Sequence, residues 1–243
     1  MFGLFGKKGN ADFSGLHTDI HSHLIPGIDD GAPTLQAAIS LIRGMASLGF
    51  KKIITTPHIM WEMYPNKAED ILNRLSEVKE ALIKEKIEVS IEAAAEYFLD
   101  EHTKKMVEGK ERLLTISGHM VLVEFSMASP PLDLKEILFE MQLQGYQPVI
   151  AHPERYTYNE RNKGFFDELK AAGYLFQLNL LSLAGFYGKG PVELANYFIK
   201  KDYYDLAGTD LHSPRHLEVL KNPAIAIQVN KLLERGRLLN PGL

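Results

Sequence analysis

Apolar, β-branched runs recur along the chain at residues 16–20, 51–56, 88–95, 119–124, 147–151, 175–179 and 204–208. Short runs of this kind, bounded by polar residues, predict strands. Between most of them the apolar period lengthens to that of a helix. Leu35, Ile39, Ile42 and Ala46 fall on one face, and so do Ile71, Leu75, Val78 and Leu82. Thr34 and Asp133 are suitable N-caps, Pro191 suits a first helical turn, and Gly49, Gly145 and Gly173 stand where helices should end. Each of these glycines precedes an aromatic residue and then a strand, in GFKKIITT, GYQPVIA and GYLFQLN. One helix-to-strand joint used repeatedly predicts an α/β fold with parallel strands and helices outside. No stretch reads as a linker, so residues 16–243 are expected to form one domain behind a flexible tail at residues 1–15.

The bulk composition narrows this picture. A chain of 243 residues is the usual length of a single β/α barrel. Apolar residues make up 45% and charged residues 24%, the balance of a globular protein. No apolar run reaches the ~18 residues that would span a bilayer, so no integral membrane segment is expected. Lys and Arg number 27 against 31 Asp and Glu, which offers nucleic acid no general attraction. The opening MFGLFGKKGN has too short an apolar stretch for a secretory signal, and a cytoplasmic protein is expected. Cysteine is absent, and with it every thiolate nucleophile.

Polar, metal-liking residues crowd the C-terminal ends of the expected strands. His21 and His23 follow the first, His58 the second and Glu96 the third, while Glu124 closes the fourth. His152 follows the fifth, and Asp210 with His212 the last. In a closed parallel barrel these ends meet on one face, where such folds keep their active sites. Side chains two apart on an extended segment point the same way, so His21 with His23, and Asp210 with His212, can each grip one centre. Imidazole and carboxylate without thiolate suit Mn, Fe, Zn or Co. Asp19 shares the parity of His21 and could orient an imidazole, and Asp29 and Asp30 compete for one ligand position.

DIHSHLIPGIDDG, TTPH, AEYF, VEF, AHPERY, QLNLLSLAGFYGKG and GTDLH, in that order, resemble the polymerase and histidinol phosphatase (PHP) superfamily. Within it they are most similar to the bacterial protein-tyrosine phosphatases of capsule and exopolysaccharide loci. The resemblance runs from about Leu16 to His216. It implies a distorted seven-stranded (β/α)7 TIM-like barrel, the PHP fold, with three divalent metal ions, often manganese. It also implies which residues hold them: His21, His23, Glu96 and Asp210 one ion, Glu96, Glu124 and His152 a second, and Asp30, His58 and His212 a third. The implied arginines are Arg155 in HPER and Arg215 after the last histidine motif; Arg155 has Glu154 as an alternative ion-pair partner.

Three divalent ions against four carboxylates leave a field that favours a dianionic phosphate. The expected chemistry is attack by metal-held hydroxide, without a phosphoenzyme. A phenolate, with a parent pKa near 10, leaves more easily than a serine alkoxide. Two aromatic loops, IMWEMYPN with Trp61 and Tyr64 and AGFYGKG with Phe186 and Tyr187, are candidates to cradle a phosphotyrosine ring. The implied partner is a phosphotyrosine protein, namely a bacterial tyrosine kinase of polysaccharide export. The alternative substrate is a small phosphomonoester such as histidinol phosphate.

Overall fold

The computed structural model describes residues 11–243. Its strands are β1 (Thr18–Asp19), β2 (Lys52–Thr55), β3 (His58–Ile59), β4 (Ser90–Ala93), β5 (Glu96–Phe98), β6 (Met120–Glu124), β7 (Gln147–Ile150), β8 (Leu175–Asn179) and β9 (Tyr204–Gly208). The helices are α1 (Leu35–Ser47), α2 (Ala68–Lys84), α3 (Glu101–Glu108), α4 (Leu134–Leu143), α5 (Gly164–Ala171), α6 (Leu180–Leu183), α7 (Lys189–Lys200), α8 (Pro214–Leu220) and α9 (Pro223–Leu233). Every strand pair is parallel, as expected of an α/β fold.

The strand count differs from the expected seven. Among the described residues there are nine strands in two sheets, ordered β1-β2-β4 and β3-β5-β6-β7-β8-β9, rather than one closed sheet. The physical reason lies in two interruptions. Pro57 has no N–H to continue a ladder, and β2 stops before it while β3 resumes after it. β4 and β5 are likewise separated at Ala94 and Ala95. Thr55 pairs with Ala93, and His58 with Glu96, at the same offset of 38 residues, so pairing resumes in register beyond the break. The first and last segments meet through a single parallel bridge, Ser22 to Leu211, supported by the Asp210 N–H donating to the His21 carbonyl at 2.7 Å.

The repeated joint has the expected form. Gly49, Gly145 and Gly173 all take positive φ (101°, 85° and 89°). At each, the glycine N–H and the following aromatic N–H close back on the last helical turn, as Gly145 to Gln142 and Tyr146 to Met141 illustrate at 2.9 and 3.0 Å. Thr34 caps α1 by accepting the Ala37 N–H. Asp133 does not cap α4, because its carboxylate is drawn to Lys104 Nζ at 2.6 Å.

Two apolar layers position what lies above them. The larger packs helices against the outward rows of the strands. The smaller, including Ile20, Ile54, Ala94, Leu122, Val149 and Leu206, fills the inward rows. Continuing the period of two along those rows gives Glu96 after Ala94, Glu124 after Leu122, and Asp210 after Leu206 and Gly208. Of the expected tail, residues 1–10 lie outside the described residues. Ala11 and Phe13 are buried, with the Phe13 ring stacked on Phe50 at 5.3 Å.

A Gly145→Ala substitution tests the joint. No atom lies within 4 Å of the added Cβ, so only backbone strain opposes it. A loss of about 1–2 kcal/mol is expected in urea denaturation, and an unchanged or raised midpoint would contradict the account.

Candidate metal centre

The strand ends bring the expected donors together. Glu96 is fully buried, and its carboxylate faces His21 Nε2 at 3.1 Å, His23 Nε2 at 3.4 Å, His58 Nδ1 at 3.3 Å and His152 Nε2 at 3.1 Å. Asp210 Oδ1 lies 3.4 Å from His21, 3.5 Å from His23 and 3.4 Å from His212. Glu124 faces His58 at 3.1 Å and His152 at 3.7 Å. Asp30, on the exposed rim, faces His58 at 3.6 Å and His212 at 3.4 Å. Four overlapping groups could each hold an ion: His23, Asp30, His58 and His212; His21, His23 and Glu96; His21, His152 and Asp210; His58, Glu96 and Glu124. His21, His23 and His58 thus each belong to two groups, where the resemblance had assigned each to one.

The outer sides of the rings decide what the inner sides can do. His21 Nδ1 donates to Gln177 Oε1 at 2.8 Å, His23 Nδ1 to Asp29 Oδ2 at 2.8 Å, and His212 Nδ1 to the Asp210 carbonyl at 2.9 Å. With those protons placed, each neutral ring turns a bare Nε2 lone pair inward. His21 and His23 Nε2 then oppose each other at 3.4 Å amid carboxylate oxygens. His58 Nδ1 is buried without a hydrogen bond although two carboxylates lie within 3.3 Å. Acceptors aimed at one another are satisfied by a cation between them, so this donor set fits divalent metal.

Without a cation, protons must serve. Burial alone would lower the His21 pKa, but Glu96 and Asp210 overcome it and raise it to about 9. The same opposition, with burial against Glu96 and Glu124, raises His58 to about 10. Burial opposed by Asp210 and Asp30 raises His212 to about 9. Burial would raise Glu96 and Asp210, yet the imidazoles hold both well below the usual carboxylate range.

Two backbone positions are strained to aim their side chains. His152 (φ 33°) and Asp210 (φ 50°) occupy the left-handed region, which costs a non-glycine residue about 1–3 kcal/mol. Gln177 Oε1 steadies the first by accepting the His152 N–H at 3.2 Å. Asp19 steadies the segment before the second by accepting the Thr209 N–H at 2.8 Å and its hydroxyl at 3.1 Å. Asp19 therefore holds no imidazole, because Thr209 occupies its oxygens. Asp29 sits behind His23 and also accepts the His58 N–H at 3.2 Å, which leaves Asp30 on the cavity side. Gly208 leaves room for His21, whose Cβ would stand 2.6 Å from an added Cβ there.

A cavity of about 620 Å³ opens over the cluster and is lined by Asp30, His58, Tyr64, Glu96, Glu124, His152, Arg155, Tyr187, Asp210 and His212, among others. Arg155 reaches Asp210 Oδ2 at 3.0 Å and stacks over the Tyr187 ring at 4.4 Å. Glu154 is not its partner: that buried carboxylate accepts from the Asn179 N–H, the Ser182 hydroxyl and the Tyr204 hydroxyl, all at 2.8–2.9 Å. Tyr64 stacks on His58 at 5.5 Å. Trp61, Phe186 and Arg215 do not line the cavity. Trp61 is drawn outward onto His102, 4.2 Å between ring centres. Phe186 packs on His216, and exposed Arg215 lies over Phe186 at 5.2 Å. Gln177 and Asn179 were not anticipated; their only sequence signal is polarity inside the apolar run LFQLN.

Parallel strands that deliver imidazoles and carboxylates to one end, beneath a cavity with an arginine on its wall, define an α/β protein with a candidate polynuclear metal centre. Residues 17–232 match the family described as "Capsular polysaccharide synthesis, CpsB/CapC", and the chain belongs to that family. It is 28% identical over 229 residues to tyrosine-protein phosphatase YwqE of Bacillus subtilis (strain 168), covering 91% of this chain and 90% of that protein. It is 28% identical over 200 residues to tyrosine-protein phosphatase CpsB of Streptococcus pneumoniae, covering 80% and 82%. A solved structure from work on YwqE and CpsB, described as "unique metal-dependent tyrosine phosphatases", superposes with a TM-score of 0.79 at 27% identity, covering 88% of this chain and 86% of that one. A lactonase from Listeria monocytogenes shares the fold at a TM-score of 0.53 and 12% identity, covering 90% of this chain and 88% of that one.

The histidine shifts give a signed pH dependence. Groups raised to about 9–10 from 6.5 contribute stability that is complete below pH ~6.5 and lost as pH rises through their folded values. Protein stripped of divalent ions should therefore show a thermal midpoint that falls between pH ~7 and ~10. Adding metal near pH 7.5 should release protons, measurable by calorimetry in buffers of different ionisation enthalpy. A metal-free midpoint that climbs over this window, or metal uptake without proton release, would contradict the assignment.

Proposed function

We propose that this protein is a metal-dependent protein-tyrosine phosphatase that hydrolyses phosphotyrosine on a bacterial tyrosine kinase of polysaccharide export, in the cytoplasm. The observation that carries the reading is Glu96 ringed by four imidazoles beneath a cavity that Arg155 overlooks. The family match and the names of the relatives support the choice of phosphotyrosine. We read the nine strands as seven segments of a distorted (β/α)7 barrel, with residues 16–243 as its domain; the preserved offset across both breaks supports this.

His21, His23, Glu96 and Asp210 would hold one ion, Glu96, Glu124 and His152 a second, and Asp30, His58 and His212 a third, with manganese preferred over iron, zinc or cobalt. Bound divalent ions supply Lewis acidity and a water that ionises near neutral pH. The chain's own residues do the rest. Gln177, Asp29 and the Asp210 carbonyl keep imidazole lone pairs turned inward. Arg155 presents its fork to equatorial phosphate oxygens, while the Tyr187 ring supports one face of the guanidinium. The Tyr187 hydroxyl is engaged by the Asn179 side-chain amide at 3.2 Å, which fixes the ring beneath Arg155. Tyr64, stacked on His58, offers an aromatic wall to the leaving group. With no cysteine in the chain, no thiol route competes.

In manganese, turnover of a phosphotyrosyl peptide should exceed that of histidinol phosphate and of a phosphoseryl peptide, and chelation should abolish it. Glu96→Gln should lower kcat/KM by more than about 100-fold, the upper end of what losing an outer partner of a ligand costs. Equal or better activity on either rival substrate would overturn the reading, as would a docking function that survives Glu96→Gln with no phosphate release from the wild type.

The support of Arg155 is separately testable. Tyr187→Phe keeps the ring under the guanidinium and should stay within about threefold of wild type, whereas Tyr187→Leu should lose roughly tenfold in kcat/KM, the scale of a desolvated cation–π contact. Steady-state kinetics giving equal losses for both variants would contradict this role.

A further inference from the structure

The motif AGFYGKG builds more than one wall of the main cavity. Behind the Arg155 and Tyr187 side chains a second cleft of about 510 Å³ opens, and it shares Met127, Arg155 and Tyr187 with the first. Its far side is made by Thr157, Glu160 and Gly190 with Pro191. We propose that this cleft receives the polypeptide flank of a phosphotyrosyl substrate, so that the substrate straddles the Arg155–Tyr187 wall with its phosphate over the cluster. The proposal rests on the phosphatase reading above and adds the class of substrate that the site distinguishes: an extended peptide against a free phosphomonoester.

Three observations carry it. The first is continuity, since the two spaces share a wall rather than lying on separate faces. Each alone has the size of a small-molecule site, about 300–1,000 Å³; joined, they suit an extended occupant.

The second is chemistry. The Glu160 carboxylate has no cationic partner among the described residues and is only partly covered. Beside it are the exposed Thr157 hydroxyl and the apolar surfaces of Met127 and Pro191. An acceptor, a hydroxyl and two apolar surfaces together match a peptide's amide groups and side chains better than they match a second phosphate, which the carboxylate would repel.

The third is the way the backbone shapes the far side of the cleft. Gly188 takes φ 95° and ψ −172°, a conformation reserved for glycine, and so turns the chain into α7. A Cβ on Gly190 would press Thr157 Cγ2 at 3.0 Å, so the bare backbone lets α7 rest against the turn at Thr157–Asn159.

The test compares substrates that differ only in their flanks. In manganese, wild-type protein should turn over a phosphotyrosyl peptide with about four residues on each side at least tenfold more efficiently in kcat/KM than free phosphotyrosine, since binding remote from the reacting atoms is available only to the peptide. Thr157→Trp, which fills the cleft from an exposed position outside the catalytic machinery, should remove most of that advantage and leave free phosphotyrosine within about twofold. A non-hydrolysable phosphonomethyl-phenylalanine peptide should slow amide exchange at residues 157–160 and 188–192, a readout independent of turnover. Equal turnover of both substrates by wild type, equal loss on both in the variant, or exchange unchanged in those segments would overturn the inference. If the variant does not fold, the wild-type comparison and the exchange data decide. Absence of turnover on both substrates would instead remove the phosphatase reading, and the inference with it.

Discussion

Glu96 is the group on which the rest depends. A fully buried carboxylate facing four imidazoles is an arrangement that water would dissolve and that an apolar core alone would not tolerate. Taking such charges out of water costs several kcal/mol per ion, and mutual attraction offsets this only when every remaining lone pair and proton has a place. The structure provides those places on the outer side of the cluster, through Gln177, Asp29 and the Asp210 carbonyl. On the inner side it leaves lone pairs that converge without donors. Rings of His21, His23 and His212 that are satisfied outwardly and unsatisfied inwardly are shaped for cations.

That demand explains features of the fold that would otherwise look like defects. The inward apolar layer ends where the donors begin, so the cluster rests on packed side chains and cannot relax downward. His152 and Asp210 hold strained backbone conformations two residues beyond the ends of β7 and β9, where an ordinary strand exit would aim them elsewhere. Asp19 is buried, and burial outweighs the opposing pull of the Thr209 amide and hydroxyl and the nearby His21, so its pKa is pushed up to about 7. Local strain and buried polarity gather around one cavity, as they do where a site over-determines its surroundings.

Much of this was legible in the sequence, and the limits have physical reasons. Strand positions followed from β-branched runs, and the three helix-to-strand joints from a glycine followed by an aromatic residue, because both signals are local. Eight of the nine ligand candidates were legible as residues at or just past strand ends, because parallel strands share an end, whereas Asp30 was chosen over Asp29 only through the resemblance. The break in β2 at Pro57 could be read in principle, but the matching break at Ala94 and Ala95 carries no such mark. Asp133 has the chemistry of a cap, and only the fold places Lys104 beside it. The aromatic loops divided for the same reason: Tyr64 and Tyr187 face the cavity, while Trp61 found His102 and Phe186 found His216. Gln177 and Asn179 stayed hidden because a polar residue in an apolar run has many uses, and a single sequence does not choose among them.

The most direct test of the central claim is anomalous X-ray diffraction from crystals soaked in a manganese salt, recorded on both sides of the manganese edge. The account predicts strong anomalous peaks inside the ring formed by His21, His23, Glu96 and Asp210 and its neighbours His58, His152 and His212, with Glu96 touching more than one of them. Donors left bare at saturating metal, or manganese found only at surface carboxylates, would contradict it.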